Sequence, residues 1–182
     1  MKDTKQEILS FWFEEISPSQ WFHKSEEFDR KISERFLADY NLAREGVYDG
    51  WQDEAKGCLA LCILLDQFPR NMFRNSAKAF QTDQKSLLIA KHAVAKAYDK
   101  LLNVTERRFI YLPYEHSENL NDQKTCVSLF EDIKDEDPQG YDYAIRHLKV
   151  IEEFGRFPHR NDVLGRENTD EEIEYLKNGG GF

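Results

Sequence analysis

Leu59-Ala-Leu-Cys-Ile-Leu-Leu-Asp-Gln-Phe-Pro-Arg-Asn-Met-Phe-Arg74 contains the chain's longest apolar run, a proline and two arginines. The apolar residues 58–65 are too few to cross a bilayer, which takes roughly 20, and they are apolar on every side, as a helix buried inside a protein is. They read as the central core helix. Pro69 has no N–H to continue that helix and disfavours helical geometry at Phe68, which predicts a stop near Gln67. Proline is also a favoured first helical residue, so a short turn through Arg70 and Phe73 is expected next, with free backbone N–H groups beside Arg70 and Arg74.

Outward from this stretch the pattern is helical throughout. Thr4 and Glu7 have capping-box spacing and open a helix carrying Ile8, Leu9, Trp12 and Phe13 that ends before Pro18. Phe28, Ile32, Phe36, Tyr40 and Ala43 recur every three to four residues on one stripe, with Gly46 as a left-handed terminator. Trp21 and Trp51 lie in the flanking linkers as anchors. Leu87, Leu88, Ala90, Val94, Ala97 and Leu101 outline a long helix that Thr82 or Asp83 could cap. A shorter piece over 105–111 is interrupted by Pro113. The cluster Glu115-His-Ser-Glu118 then leads into a helix with Leu120, Val127, Phe130 and Ile133 on one face, Ser117 serving as its cap. The acidic residues 131–137 read as solvated surface, and Asp137-Pro138 as an N-cap with proline behind it. The next helix buries Ala144, Leu148 and Ile151 and stops at Gly155; Thr169 and Glu172 box the start of a last one. No alternating strand pattern occurs. Seven or eight helices with short connections imply one all-α domain over residues 1–182, built of antiparallel helix pairs.

The 182 residues, 40% hydrophobic and 13% aromatic, can form a substantial core. A formal charge of −9, from 25 basic and 34 acidic residues, argues against nucleic acid or an anionic membrane as partner. Cys58, Cys62 and Cys126 lack the paired spacing of a zinc site or a disulfide framework, and Cys58 and Cys62, four apart within the apolar run, read as core residues in a reducing compartment. The N-terminus shows no signal pattern, so a cytoplasmic protein is expected.

With these segments placed, the chain resembles a bacterial family known as domain of unknown function 924. The resemblance rests on Ile8-Leu-Ser-Phe-Trp-Phe13, Gln20-Trp-Phe22, Leu59-Ala-Leu61 through Leu64-Leu-Asp-Gln-Phe-Pro-Arg-Asn71, Tyr111-Leu-Pro113, Glu115-His-Ser-Glu118, Phe154-Gly-Arg-Phe-Pro-His-Arg-Asn161 and Leu164-Gly-Arg166. It implies a helical fold similar to tetratricopeptide-repeat proteins and brings no activity and no catalytic residues.

Phe-Pro followed closely by Arg and Asn occurs twice, and this repetition marks the first candidate site: Arg70, Asn71 and Arg74 with Arg156, His159, Arg160, Asn161 and Arg166, and Asp66 nearby. Arginine's fixed donors suit carboxylate or phosphate, and two helix starts would aim N–H groups at the same anion. The competing reading makes these side chains loop fasteners that pair with Asp66, Glu115 and Glu118. In the second candidate, Glu115 or His116 moves a proton, or His116 joins His147 and His159 on a metal; no His or Glu spacing marks a ready metal face, so no metal and no cofactor is assigned. The third is the aromatic set Trp12, Phe13, Trp21, Phe22, Phe28, Phe36 and Trp51, read as core before groove. The leading expectation is a binding module for a small anionic ligand or peptide carboxylate, contacted by Arg70, Arg156 and Arg160. A hydrolase or lyase using Glu115 or His116 is the alternative, and a protein–protein interaction scaffold the third.

Overall fold

The computed structural model describes residues 3–181. In chain order it contains α1 (Thr4–Ser10), α2 (Glu26–Arg44), α3 (Ala55–Cys62), α4 (Phe68–Met72), α5 (Asp83–Ala95), α6 (Val104–Glu115), α7 (Leu120–Glu131), α8 (Pro138–Phe154) and α9 (Asp170–Lys177). Among the described residues there is no strand. A π-helical stretch, Ile63–Gln67, fuses α3 and α4 into one rod, so the nine segments make eight continuous helices. A second π-helical stretch, Phe11–Glu15, extends α1. Short connections fold successive helices back on one another: α6 packs on α7 and α7 on α8, while α3 lies against α5 and α6.

The helix ends follow local chemistry. Asp3, one residue earlier than the expected Thr4, caps α1 through the N–H of Gln6. Ser25, Asn119 and Asp137 cap α2, α7 and α8, and full capping boxes start α6 (Asn103, Glu106) and α9 (Thr169, Glu172). Gly155 ends α8 in the left-handed region at φ 68°, which costs little without a Cβ.

The stop expected near Gln67 does not occur. An α-helix would use the N–H at position 69 to satisfy the Leu65 carbonyl; Pro69 has none, and the Thr82 hydroxyl donates to that carbonyl instead, at 2.6 Å. Arg70 likewise donates to the Asp66 carbonyl. With the freed carbonyls satisfied from the side, the helix widens into the π stretch and continues through the proline. Residues 57–69 are all buried. Leu59, Leu61, Ile63, Leu64, Leu65 and Phe68 are each 0% exposed, and burying such side chains stabilises by about 1.5–3 kcal/mol apiece.

Pro113 also fails to interrupt its helix: α6 runs through it to Glu115, with His116 as the C-cap. The polar cluster therefore closes one helix, and Asn119, not Ser117, caps the next; the Ser117 hydroxyl donates to Asp122 at 2.8 Å. The long helix drawn through Leu101 is shorter. It ends at Ala95, Ala97 turns left-handed at φ 56°, and Leu88 and Leu101 are 57% and 74% exposed. Its buried face is Ser86, Leu87, Ile89, Ala90 and Ala93, and Thr82 stands at the N-cap position, but its hydroxyl, committed to Leu65, makes no capping hydrogen bond.

The α2 stripe is buried as expected. The aromatic set is mainly core: Trp12, Phe28, Phe36 and Trp21 are buried, Trp21 donates its indole N–H to the Trp12 carbonyl at 2.9 Å, and Phe22 is the exception at 61% exposed. Trp51 stacks on Tyr48 at 4.2 Å. Within 131–137 most side chains are solvated, but Asp137 is buried and pairs with Arg108.

Replacing Thr82 by valine keeps its shape and strands the buried Leu65 carbonyl. Urea denaturation should show a loss of about 1–3 kcal/mol, the cost of an unsatisfied buried acceptor, while Thr82→Ser stays closer to wild type.

Candidate functional site

Five residues from five parts of the chain meet where the two Phe-Pro segments approach each other. Asp66 comes from the π stretch, Arg70 from α4, Asp83 from the start of α5, His116 from the end of α6, and Arg160 from the short 3-10 turn Pro158–Arg160. They form a closed ring. His116 Nδ1 lies 2.8 and 2.9 Å from the two Asp66 carboxylate oxygens. Arg70 lies 3.2 Å from Asp66 and donates to both oxygens of Asp83 at 3.0 and 3.1 Å. Arg160 lies 3.6 Å from Asp83 and donates to the His116 carbonyl at 3.0 Å. Both guanidinium groups sit over the Phe80 ring, at 5.7 Å for Arg70 and 4.7 Å for Arg160, and Arg160 also covers Phe157 at 4.4 Å.

Burial would push the Asp66 carboxyl up, but Arg70 and His116 outweigh it and hold it at about 2, so it is ionised at neutral pH. Burial, with Arg70 behind it, lowers the His116 imidazole by more than Asp66 raises it. Arg160 is 6% exposed, and burial followed by the like charge of Arg70 draws it down to about 10. Its Nε has no hydrogen-bond partner among the described residues.

The other candidates are committed elsewhere. Arg74 grips Asp29 at 2.6 and 2.7 Å, and Asn71 donates to the same carboxylate at 2.8 Å, which fastens α4 to α2. Arg156 makes a bidentate pair with Glu172 at 2.6 and 2.7 Å. Asn161 donates to Asn168 at 2.7 Å and to Glu172 at 3.3 Å, and Arg166 holds Glu118 at 2.8 and 3.0 Å. For these residues the loop-fastening reading describes the contacts. His159 is half-buried, and burial, then Arg160, lowers its imidazole to about 4.

Glu115 points into the protein rather than joining His116 on the ring. It is 4% exposed, its Oε1 is 3.4 Å from His147 Nδ1, and its Oε2 has no hydrogen-bond partner among the described residues. Burial raises its carboxyl to about 8 against the opposing charge of Arg108. His147 is lowered to about 3 by burial. The His116 and His147 rings are 6.4 Å apart, and among the described residues no group of three or more His, Cys, Asp or Glu side chains is arranged to hold a metal ion. Asp83 was legible only as a possible helix cap, and Phe80 carried no signal; their role depends on where α5 starts in space.

An open groove of about 560 Å³ lies elsewhere, lined by Tyr143, Arg146, Val150, Tyr175 and the C-terminal glycines. It lacks the converging acids and bases of the ring, and chemistry rather than concavity locates the candidate site.

The family described as bacterial protein of unknown function (DUF924) matches residues 8–180, nearly the whole chain and every member of the ring. The chain belongs to this family. A solved structure, that of a protein of unknown function from Agrobacterium tumefaciens, superposes with a TM-score of 0.92 at 36% identity, covering 97% of this chain and 98% of that one. No curated protein matches. The DUF924 assignment and the superposition establish family and all-helical fold. Among the described residues no helix is long and apolar enough to cross a membrane.

A carboxyl raised in the folded state contributes stability that is full below its unfolded value, near 4.5, and is lost as pH rises through about 8. Glu115→Gln, which cannot ionise, should match wild type near pH 5 and exceed it increasingly toward pH 8, by at most about 1.4 kcal/mol per pH unit. Denaturation midpoints measured across that range check it; parallel curves would mean Glu115 is not held neutral.

Proposed function

We propose that the protein binds a small anion, a carboxylate or phosphate group of a metabolite or peptide end, at Arg70 and Arg160. The observation that carries this reading is Arg160: a buried guanidinium with one hydrogen bond to a carbonyl, a 3.6 Å approach to Asp83 and an unpartnered Nε. A guanidinium has five N–H donors, and leaving them unused away from water is costly unless an acceptor visits. Arg156 is engaged in a bidentate pair with Glu172, and the proposal does not use it. Asp66 and Asp83 balance the charges of Arg70 and Arg160, so donor geometry, not excess positive charge, supports selection for an anion. Phe80 and Phe157 fix the plane of Arg160 from two rings. The three cysteines are buried and free, which fits a reducing compartment and our placement of the protein in the cytoplasm.

Thermal unfolding against sulfate, phosphate and small carboxylates tests the proposal. An anion at 100 times its Kd stabilises by about 2.7 kcal/mol, and each kcal/mol raises Tm by roughly 2–4 °C at this size. Arg70→Ala and Arg160→Ala should abolish the shift, and Arg156→Ala should lower the baseline Tm while keeping it. Asp83→Asn, which removes the internal competitor for both arginines, should enlarge the shift. No shift with any anion, or one that survives both Arg70→Ala and Arg160→Ala, would sink the reading.

A further inference from the structure

We propose that Asp66 and His116 form a proton-transfer dyad, in which His116 Nε2 takes a proton from a water held beside the anionic group on Arg70 and Arg160. This rests on the anion-binding reading and gives that site a reaction class: hydrolysis of an anionic substrate.

The tautomer follows from the donors around Asp66. Its carboxylate receives His116 Nδ1, Arg70 and Gln67, and an ionised carboxylate can only accept. The hydrogen between Asp66 and His116 therefore belongs to Nδ1. A neutral ring with its hydrogen on Nδ1 carries its lone pair on Nε2; the ring's hydrogen bonds to Asp66 are made by Nδ1, and the side chain keeps 14% of its surface accessible. Such a ring is oriented by a carboxylate and has its basic nitrogen available, the relation that general bases use.

The surroundings determine when it can act. Facing His116 are Asp66 from the π stretch, Arg70 from α4, Asp83 from α5, His147 from α8 and Arg160 from the 3-10 turn, with Glu115 adjacent on α6. In the unliganded protein, burial and Arg70 keep the ring neutral, the form a base needs. An anion on the two arginines offsets their charge and raises the ring's proton affinity. In the reaction the Nε2 lone pair forms the new N–H bond, the O–H electron pair forms the bond from the water oxygen to the substrate's electrophilic carbon or phosphorus, and the leaving group departs with the electrons of the broken bond and takes the proton back from the imidazolium. The imidazolium is held by Asp66, which itself takes no proton, and the developing oxyanion is stabilised by the guanidinium donors. Asp66 is thus a positioning residue. It lies on a π stretch, a local widening of the helix that often accompanies function.

Two measurements on the full chain test this. In ¹⁵N-labelled protein at neutral pH, the His116 signals, identified by their loss in His116→Gln, should show hydrogen on Nδ1 and a bare Nε2; hydrogen on Nε2, or a charged ring, would overturn the proposal. Calorimetry of sulfate binding, in buffers of different ionisation heat, should show uptake of up to one proton per sulfate at neutral pH. Uptake should vanish in His116→Gln, which still binds, and fall in Asp66→Asn. Sulfate binding with the same proton uptake in His116→Gln would defeat the dyad and leave the anion site standing. A wild-type protein that binds neither sulfate nor any small carboxylate or phosphate would defeat the anion site, and the dyad with it.

Discussion

Burying an ionised carboxylate in the middle of the central helix is the constraint on which the rest of the structure depends. Asp66 is 1% exposed, and an unpaired charge there would be intolerable. Its partners come from the polar end of the same rod and from one other helix: Arg70 one turn on, Gln67 beside it, and His116 from the end of α6. Breaking such a buried arrangement typically costs 3–5 kcal/mol, whereas the intact arrangement need not stabilise at all relative to an apolar core. What the ring supplies is position. It fixes α4, the start of α5, the end of α6 and the Pro158–Arg160 turn relative to one another, a task that apolar packing alone performs less specifically.

The two prolines show how local rules yield to such tertiary demands. Pro69 breaks an isolated helix because one carbonyl loses its donor; here Thr82, seventeen residues beyond Leu65 in sequence, supplies another to the Leu65 carbonyl at 2.6 Å. Nothing in the spacing of residues 59–74 reveals that a hydroxyl will arrive there. Pro113 likewise sits inside α6, whose hydrophobic face buries Phe109, Ile110 and Leu112 around it. Packing of this face outweighs the lost N–H. By contrast, caps were legible at Asp137, Gly155 and Thr169 because a cap is a contact between residues three or four apart, and sequence records that directly.

The same distinction governs the site. The repeated Phe-Pro segments pointed to Arg70 and Arg160, and Asp66 and His116 were within the residues singled out, so four of the five ring members were legible as chemistry. Their sorting was not. Arg74, Arg156 and Arg166 are of the same residue type in the same motifs, but each finds a carboxylate that it grips with two nitrogens: Asp29, Glu172 and Glu118. Those acids lie 16 to 48 positions away in sequence, at spacings that no pattern anticipates. Glu115 and His116, adjacent in sequence, face opposite chemistry because consecutive residues at a helix end point in different directions. One meets His147 in the buried interior and the other meets Asp66.

Donor arithmetic explains why only one arginine stands out. Arg166 also has a buried Nε without a partner, but its two terminal nitrogens are taken by Glu118, and one also reaches the Phe157 carbonyl. Arg160 shares Asp83 with Arg70, which holds both of that carboxylate's oxygens at closer range. One acid between two cations satisfies the nearer and leaves the other short. That shortage persists because Phe80 and Phe157 hold Arg160 over their rings, and the His116 carbonyl occupies one terminal nitrogen. The fold therefore keeps a buried cation under-coordinated next to a carboxylate-oriented imidazole. An arrangement selected for stability alone would give Arg160 its own carboxylate, as the fold does for Arg35, Arg74, Arg108, Arg156 and Arg166, and the absence of one at this point is the structural reason to read the ring as a working site rather than a fastening.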